Sequence, residues 1–214
     1  MLVKPFIDIQ EQIEQGISIL RKGGLVAYPT DTVYGLGAAM NLPQAVERIY
    51  TVKGRSVTSP LPLLLADESQ IADVAAVIPL SARCFIRNFF PGALTLVLPA
   101  SKAVPAVVTG GGGTVAVRVP GHPVPVALIK GLGVPIVGTS ANLSGRPSLL
   151  TAGEVENQLG KKIDLIVDGG RCPGGKESTI VDVTGEIPVI LREGAISREE
   201  LERVCGRIEV KKND

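Results

Sequence analysis

Ile9, Ile13, Ile17 and Leu20 recur at helical spacing, and Gly23-Gly24 supplies a stop, so the chain is expected to begin with an amphipathic helix. "LVAY" then reads as a strand. The stretch "YPTDTVYGLG", residues 28–37, carries no hydrophobic period and reads as a polar, glycine-hinged loop. "NLPQAVERIYTVKGR" places a proline in its first turn and Val46, Ile49, Tyr50 and Lys53 three or four residues apart, which predicts a second helix ending at Gly54. Short β-rich runs follow at "LPLLLA", "ALTLVLP", "TVAVRV", "VPIVG", "IDLIVD", "STIVDV" and "PVILR". Between them lie the helical segments "SARCFIRNFF", "PVPVALIKG", "TAGEVENQLG" and "SREELERVCG". The last two carry Thr151 with Glu154 and Ser197 with Glu200, the reciprocal spacing that satisfies free amides at a helix start.

Strands and helices alternate without an internal repeat, which predicts an α/β fold with helices covering a twisted sheet. The strands are too continuously apolar for a sheet facing solvent. Prolines and glycines fall between elements and form no linker, so residues 1–214 read as one domain; the tail "EVKKND" reads as a frayed end.

Composition narrows the options. With 45% apolar residues the chain can bury a substantial core, and 22 basic against 21 acidic side chains leave a formal charge of +1. No global field draws such a protein to nucleic acid or membrane, so any anion site must be built locally. Cys84, Cys172 and Cys205 have no C-x-x-C spacing, which argues against a disulfide framework or a zinc cage and fits a reducing cytoplasm. The N-terminus lacks a leader-like apolar core, and no apolar run reaches the ~20 residues of a membrane span.

The loops carry the chemistry. "PTDTVYG", "KGRSVTS", "TGGGGT", "GTSANLSGRPS", "GGRCPGGKEST" and "LREG" combine hydroxyls, cations and small residues that let backbone amides approach a ligand, a composition suited to phosphate and carboxylate. Singly, each has a plainer reading. The first could be a hydroxyl-capped turn, Lys53 and Arg55 could complement a helix dipole, the glycine run could be a connector, and Asn142 could satisfy its own backbone. His122, between Gly121 and Pro123, reads as a turn residue. Arg118 is different, because it interrupts an apolar strand at its end, where a cation is usually paired or bound. Arg192 after "VIL" repeats that pattern. Gly170, Gly175 and Lys176 match the front of a P-loop, but Glu177 replaces the hydroxyl and "STIVDV" reads as a strand where a helix is required. That motif is rejected, as are a nucleophile elbow and a Ser-His-Asp triad.

Taken in order, "PTDTVYGLG", "KGR", "TVAVRVPGH", "TSANLSG", "DGG", "ESTIVDV" and "LREG" closely resemble the YrdC-type threonylcarbamoyl-AMP synthases, from about Gly23 to Ile196. The resemblance implies an α/β fold with a twisted mixed sheet flanked by helices around a large electropositive cavity. It implies condensation of L-threonine, bicarbonate or CO2, and ATP into threonylcarbamoyl-adenylate and pyrophosphate, a nucleotidyltransferase reaction. The product then passes to separate transferase proteins that modify tRNA. By position, Thr32, Arg118, Gly138 and Ser178 match threonine contacts. Lys53, Arg55, Ser59, Thr114, Ser140, Asn142, Ser148 and Arg192 match ATP contacts, with Lys53 and Arg55 straddling the phosphates as the catalytic pair. Magnesium is expected to be held mainly by the phosphates and water, with no protein metal site. Ser59 stands where many relatives have asparagine and Leu64 where they have histidine, so that imidazole contact is absent or supplied otherwise. Two further readings differ in class. An RNA-binding module of the same fold is disfavoured by near-zero charge and 3% aromatic residues, and the Leu64 departure suggests a paralogue using another carbamoyl substrate.

Overall fold

The computed structural model of the chain describes residues 8–211. In chain order its first half consists of α1 (Ile9–Arg21), β1 (Val26–Tyr28), β2 (Gly35–Ala39), α2 (Pro43–Lys53), β3 (Leu63–Leu64), α3 (Ile71–Val74), α4 (Leu80–Phe89) and β4 (Leu94–Pro99). Then come α5 (Ala106–Thr109), β5 (Thr114–Arg118), α6 (Pro123–Leu132), β6 (Ile136–Ser140), α7 (Ala152–Leu159), β7 (Leu165–Ile166), β8 (Thr179–Asp182), β9 (Val189–Arg192), α8 (Arg198–Cys205) and β10 (Glu209–Val210). The strands form one sheet in the order β10-β9-β8-β4-β5-β3-β6-β2-β1-β7. The pairs β1–β7, β3–β5, β4–β8 and β9–β10 are parallel and the others antiparallel, which makes the sheet mixed, as expected.

Alternate residues of a strand point to opposite faces, and the core divides accordingly. Val26, Tyr28, Leu64 and Ile136 pack with Ile13 and Leu20 of α1 and Val124, Leu128 and Ile129 of α6. Their neighbours Ala27, Leu63 and Val137 pack in a larger cluster with Val46 and Ile49 of α2, Phe85 of α4, Val155 of α7 and Leu201 of α8. Both predicted capping boxes are present, and His122 caps α6 by accepting the Val124 N–H at Nδ1, 3.2 Å.

Two expectations are corrected. The segment 28–37 is not loop throughout: Gly35–Ala39 is a fully buried strand, with Gly35 opposite Tyr28 and Gly37 opposite Val26. Its lack of a hydrophobic period has a steric cause. A β-carbon on Gly35 would lie 2.7 Å from the Tyr28 ring, and one on Gly37 2.5 Å from Ile136 Cγ2 and 2.8 Å from the Tyr28 hydroxyl oxygen, so the Tyr28 ring, with Ile136, fills the space that side chains would occupy. The tail is not wholly frayed either, since Glu209 and Val210 pair with Val189 and Ile190 behind the buried Ile208; residues 212–214 lie outside the described part. The short α3 and α5 escaped prediction because four residues cannot show a period.

The fully buried Tyr28 hydroxyl has no hydrogen-bond partner. A buried hydroxyl without a partner costs its desolvation and returns nothing. Tyr28→Phe is therefore expected to leave stability unchanged or raise it by about 1 kcal/mol, measured by urea unfolding. A clear loss of stability would contradict this.

Candidate active site

A cavity of about 500 Å³ opens where the β1–β2 connection, the end of α2, and the ends of β5, β6, β8 and β9 meet. Each element ends there for a local reason. Helix α2 stops because Gly54 adopts the left-handed conformation (φ 60°), which leaves Lys53 in its last turn at the cavity and turns Arg55 alongside it. Strand β5 ends at Arg118 before Pro120, and β9 ends at Arg192 before Gly194.

Of the residues predicted from sequence, Thr32, Lys53, Arg55, Arg118, Gly138, Ser140, Asn142, Ser178 and Arg192 line this cavity. Ser59, Thr114 and Ser148 do not. Ser59 lies in the 54–60 segment, its carbonyl accepting from Tyr50 Oη at 3.1 Å; Thr114 is exposed at the start of β5. Ser148 is one bond removed, donating to Glu177 Oε1 at 2.5 Å. Sequence reasoning left Tyr34 open; it lines the cavity and donates to the Gly170 carbonyl, 2.9 Å. It missed Arg146 and Glu177, both in the lining, and Asp31 behind it.

Arg118 is 6% exposed and engaged at every nitrogen: Nε donates to Gly92 O at 2.9 Å, Nη1 to Thr32 Oγ1 at 3.0 Å and Nη2 to Asp31 Oδ1 at 2.7 Å. Asp31 Oδ1 also accepts the Gly121 N–H at 3.0 Å, which fixes the carboxylate. Burial lowers the Arg118 pKa and Asp31 opposes the shift. One N–H on each of Nη1 and Nη2 is left for a ligand, the fork geometry that suits a carboxylate. Thr30 Oγ1 gives its proton to Val33 O at 2.7 Å, so Thr32 is the donor in the 2.9 Å contact between the two threonine hydroxyls. The Thr32 oxygen is thereby aimed at Arg118 by a chain of bonds.

Lys53 is 3% exposed and spends its ammonium on the Ser140 carbonyl, the Asn142 carbonyl (2.6 Å) and Asn142 Oδ1 (3.2 Å). Where straddling of phosphates was expected of it, Lys53 ties the 140–142 segment to α2. Burial, then Arg55, push its pKa down to about 8, with Glu177 acting the other way. Because this folded value lies below the ordinary one, the unfolded chain binds more protons between pH 8 and about 10.4, and stability gains from this group as pH rises through that window. An anion beside Lys53 must raise its pKa again. Binding of a polyphosphate anion there at pH 8.5 is expected to take up roughly 0.7 of a proton, falling toward zero at pH 7. Calorimetry in buffers of different ionisation enthalpy checks this, and Lys53→Met should remove the uptake.

Arg192 Nη1 is ion-paired with Glu177 Oε2, and its Nη2 donates to Ser178 O at 2.9 Å. Arg55 Nη2 donates to Pro60 O at 3.1 Å, while its buried Nε has no partner. The Arg146 backbone donates to Leu143 O at 3.0 Å and accepts from Asn142 Nδ2, but its guanidinium makes no hydrogen bond or ion pair among the described residues. The lining therefore holds the cations Lys53, Arg55, Arg118, Arg146 and Arg192 against the single carboxylate of Glu177, a strongly anion-selective balance. A β-carbon on Gly138 would meet Leu64 Cγ at 2.7 Å, so Leu64 and the glycine share the space on that wall. A larger groove of about 930 Å³, lined by Ile71, Ile86, Phe90 and Val126 with Asp67, Glu68, Arg83 and Arg87, contains none of the predicted site residues. Its charges are mixed, and the smaller cavity is the one with the chemistry.

The family model Sua5_yciO_yrdC, described as telomere recombination, matches residues 18–194. A threonylcarbamoyl-AMP synthase of Bacillus subtilis (strain 168) is 44% identical over 97% of this chain and 62% of its own length. The crystal structure of Pyrococcus abyssi Sua5 complexed with L-threonine superposes with a TM-score of 0.92 at 44% identity, over 98% of this chain and 61% of that one. Escherichia coli YciO superposes with a TM-score of 0.81 at 33% identity, over 89% and 93% respectively. The chain spans about three fifths of the length of the first two relatives.

Proposed function

The chain belongs to the Sua5, YciO and YrdC family, and from that premise we propose that it is a threonylcarbamoyl-AMP synthase. One observation carries the reading: four cations from three distant segments, Lys53 with Arg55, Arg118, and Arg192, meet hydroxyls of Thr32 and Ser178 in one cavity. Triphosphate, an amino-acid carboxylate and bicarbonate repel one another in water, and this cluster neutralises them. Arg118 takes the threonine carboxylate on its two free N–H groups, with Thr32 and Ser178 beside it. Lys53, Arg55 and Arg192 take the phosphates, with Asn142 and Ser140 held in place by Lys53.

Carbamate formation joins the substrate nitrogen to the bicarbonate carbon and releases water and a proton. A carbamate oxygen then attacks the α-phosphorus and pyrophosphate leaves. Such transfers depend on alignment and charge stabilisation more than on covalent help from the protein. With one carboxylate in the lining, the residues fit a magnesium ion that arrives on the triphosphate; it would neutralise further phosphate charge there. The adenylate product would be handed to separate tRNA-modifying transferase proteins.

The test is pyrophosphate release by the purified chain with ATP, magnesium, bicarbonate and one amino acid at a time. Release should require both L-threonine and bicarbonate. Equal rates with glycine or serine would refute the assignment of threonine as substrate.

A further inference from the structure

Glu177 is an unexpected group in a site built for anions. Its Oε1 accepts from Ser148 Oγ at 2.5 Å, its Oε2 is paired with Arg192, and its charge acts on Lys53. It therefore occupies, in one carboxylate, groups assigned above to the nucleotide. The contrast with Asp31 is informative. The Asp31–Arg118 pair is deeply buried (side chains 17% and 8% exposed) and braced by the Gly121 N–H, so it is a fixed part of the wall. Glu177 and Arg192 are 31% and 43% exposed and both line the cavity. An ion pair that open to solvent contributes little and exchanges readily for a stronger anion. A triphosphate, with more charge and more acceptor oxygens, is such an anion.

The displaced carboxylate has a second partner available. An amino acid whose carboxylate lies on Arg118 brings a cationic ammonium into a cavity rich in cations. Among the described residues of the lining, Glu177 is the sole anion able to receive it. The next residue, Ser178, already belongs to the amino-acid end, and Arg118 and Arg192 lie close enough to feel each other's charge.

Resting on the synthase reading of this cavity, we propose that Glu177 stands in for a nucleotide phosphate whenever no nucleotide is bound and, once exchanged off Ser148 and Arg192 by ATP, holds the ammonium of the amino-acid substrate. It is thus a substrate-binding residue that couples the two substrates. Nucleotide binding frees the ammonium acceptor, so the amino acid binds more tightly afterwards, and by linkage the reverse holds.

The experiment is calorimetric titration of L-threonine into wild type and Glu177→Gln, with and without magnesium and α,β-methylene-ATP. In wild type the analogue should lower the threonine Kd at least fivefold. In Glu177→Gln the analogue itself should bind several-fold more tightly, because a neutral amide releases Arg192 more easily, and the coupling to threonine should fall within twofold of none. Coupling equal to wild type, or an analogue affinity no higher than wild type, overturns the proposal. If wild type binds neither compound, the synthase reading itself has failed, which is a different result from an uncoupled wild type that binds both. The substitution is close to isosteric at a partly exposed site, and circular dichroism verifies the fold.

Discussion

Arg118→Met is expected to lower kcat/KM for L-threonine at least a hundredfold, equivalent to about 2.7 kcal/mol. It should also destabilise the fold by about 3 kcal/mol, since it strands the Asp31 carboxylate in a largely buried position. The two losses have different origins and can be separated. In Asp31→Asn/Arg118→Met no buried charge is left without a partner, so most of the stability should return while threonine use stays lost. Urea unfolding and threonine-dependent pyrophosphate release on the three proteins check this. Recovery of activity in the double variant would show that Arg118 serves the wall and not the substrate.

The second large effect belongs to a residue outside the cavity lining. A β-carbon on Gly194 would lie 2.2 Å from the Glu177 carbonyl oxygen and 2.5 Å from the Ser178 carbonyl carbon, both backbone atoms that cannot step aside. The same strip is pinned by Thr179 Oγ1, which accepts the Gly194 and Ile196 N–H groups at 2.9 and 3.1 Å. Gly194→Ala must therefore push the 177–178 backbone away from β9, with a cost of about 1–3 kcal/mol and loss of most pyrophosphate release. Gly153, inside α7 with nothing within 4 Å of its would-be β-carbon, is the control: Gly153→Ala should be neutral or stabilising by about 0.5–1 kcal/mol. Thermal unfolding and activity of the two variants decide the point; equal stabilities would contradict it.

These cases indicate what was legible in the sequence. Periodicity located α1, α2, α4 and α6, and polar spacing located the starts of α7 and α8, because those signals are local. Strand β2 was missed because its evidence is not local: Gly35 and Gly37 make sense as strand residues only once the Tyr28 ring lies across them. The cations of the site were visible because Arg118 and Arg192 interrupt apolar strands. Their acids were not. Asp31 reads as a turn residue in "PTDT", and Glu177 was noticed only as the wrong residue for a P-loop, since nothing in one dimension says that each will meet an arginine 87 or 15 positions further on. Lys53 lines the cavity, but its ammonium was read from sequence as free for phosphates, whereas the fold brings the 140–142 carbonyls onto it. Leu64 was noted as a departure, and its physical counterpart, the bare Gly138 it packs against, emerged only when β3 and β6 were seen to be paired.

The central claim is that one cavity holds a nucleotide and a small amino acid side by side. A crystal of the protein soaked with magnesium, α,β-methylene-ATP and L-threonine tests it most directly. The account predicts the threonine carboxylate on Arg118 and the triphosphate among Lys53, Arg55 and Arg192. Nucleotide bound instead in the groove between Arg83, Arg87 and His122, with the Arg118 cavity empty, would contradict it.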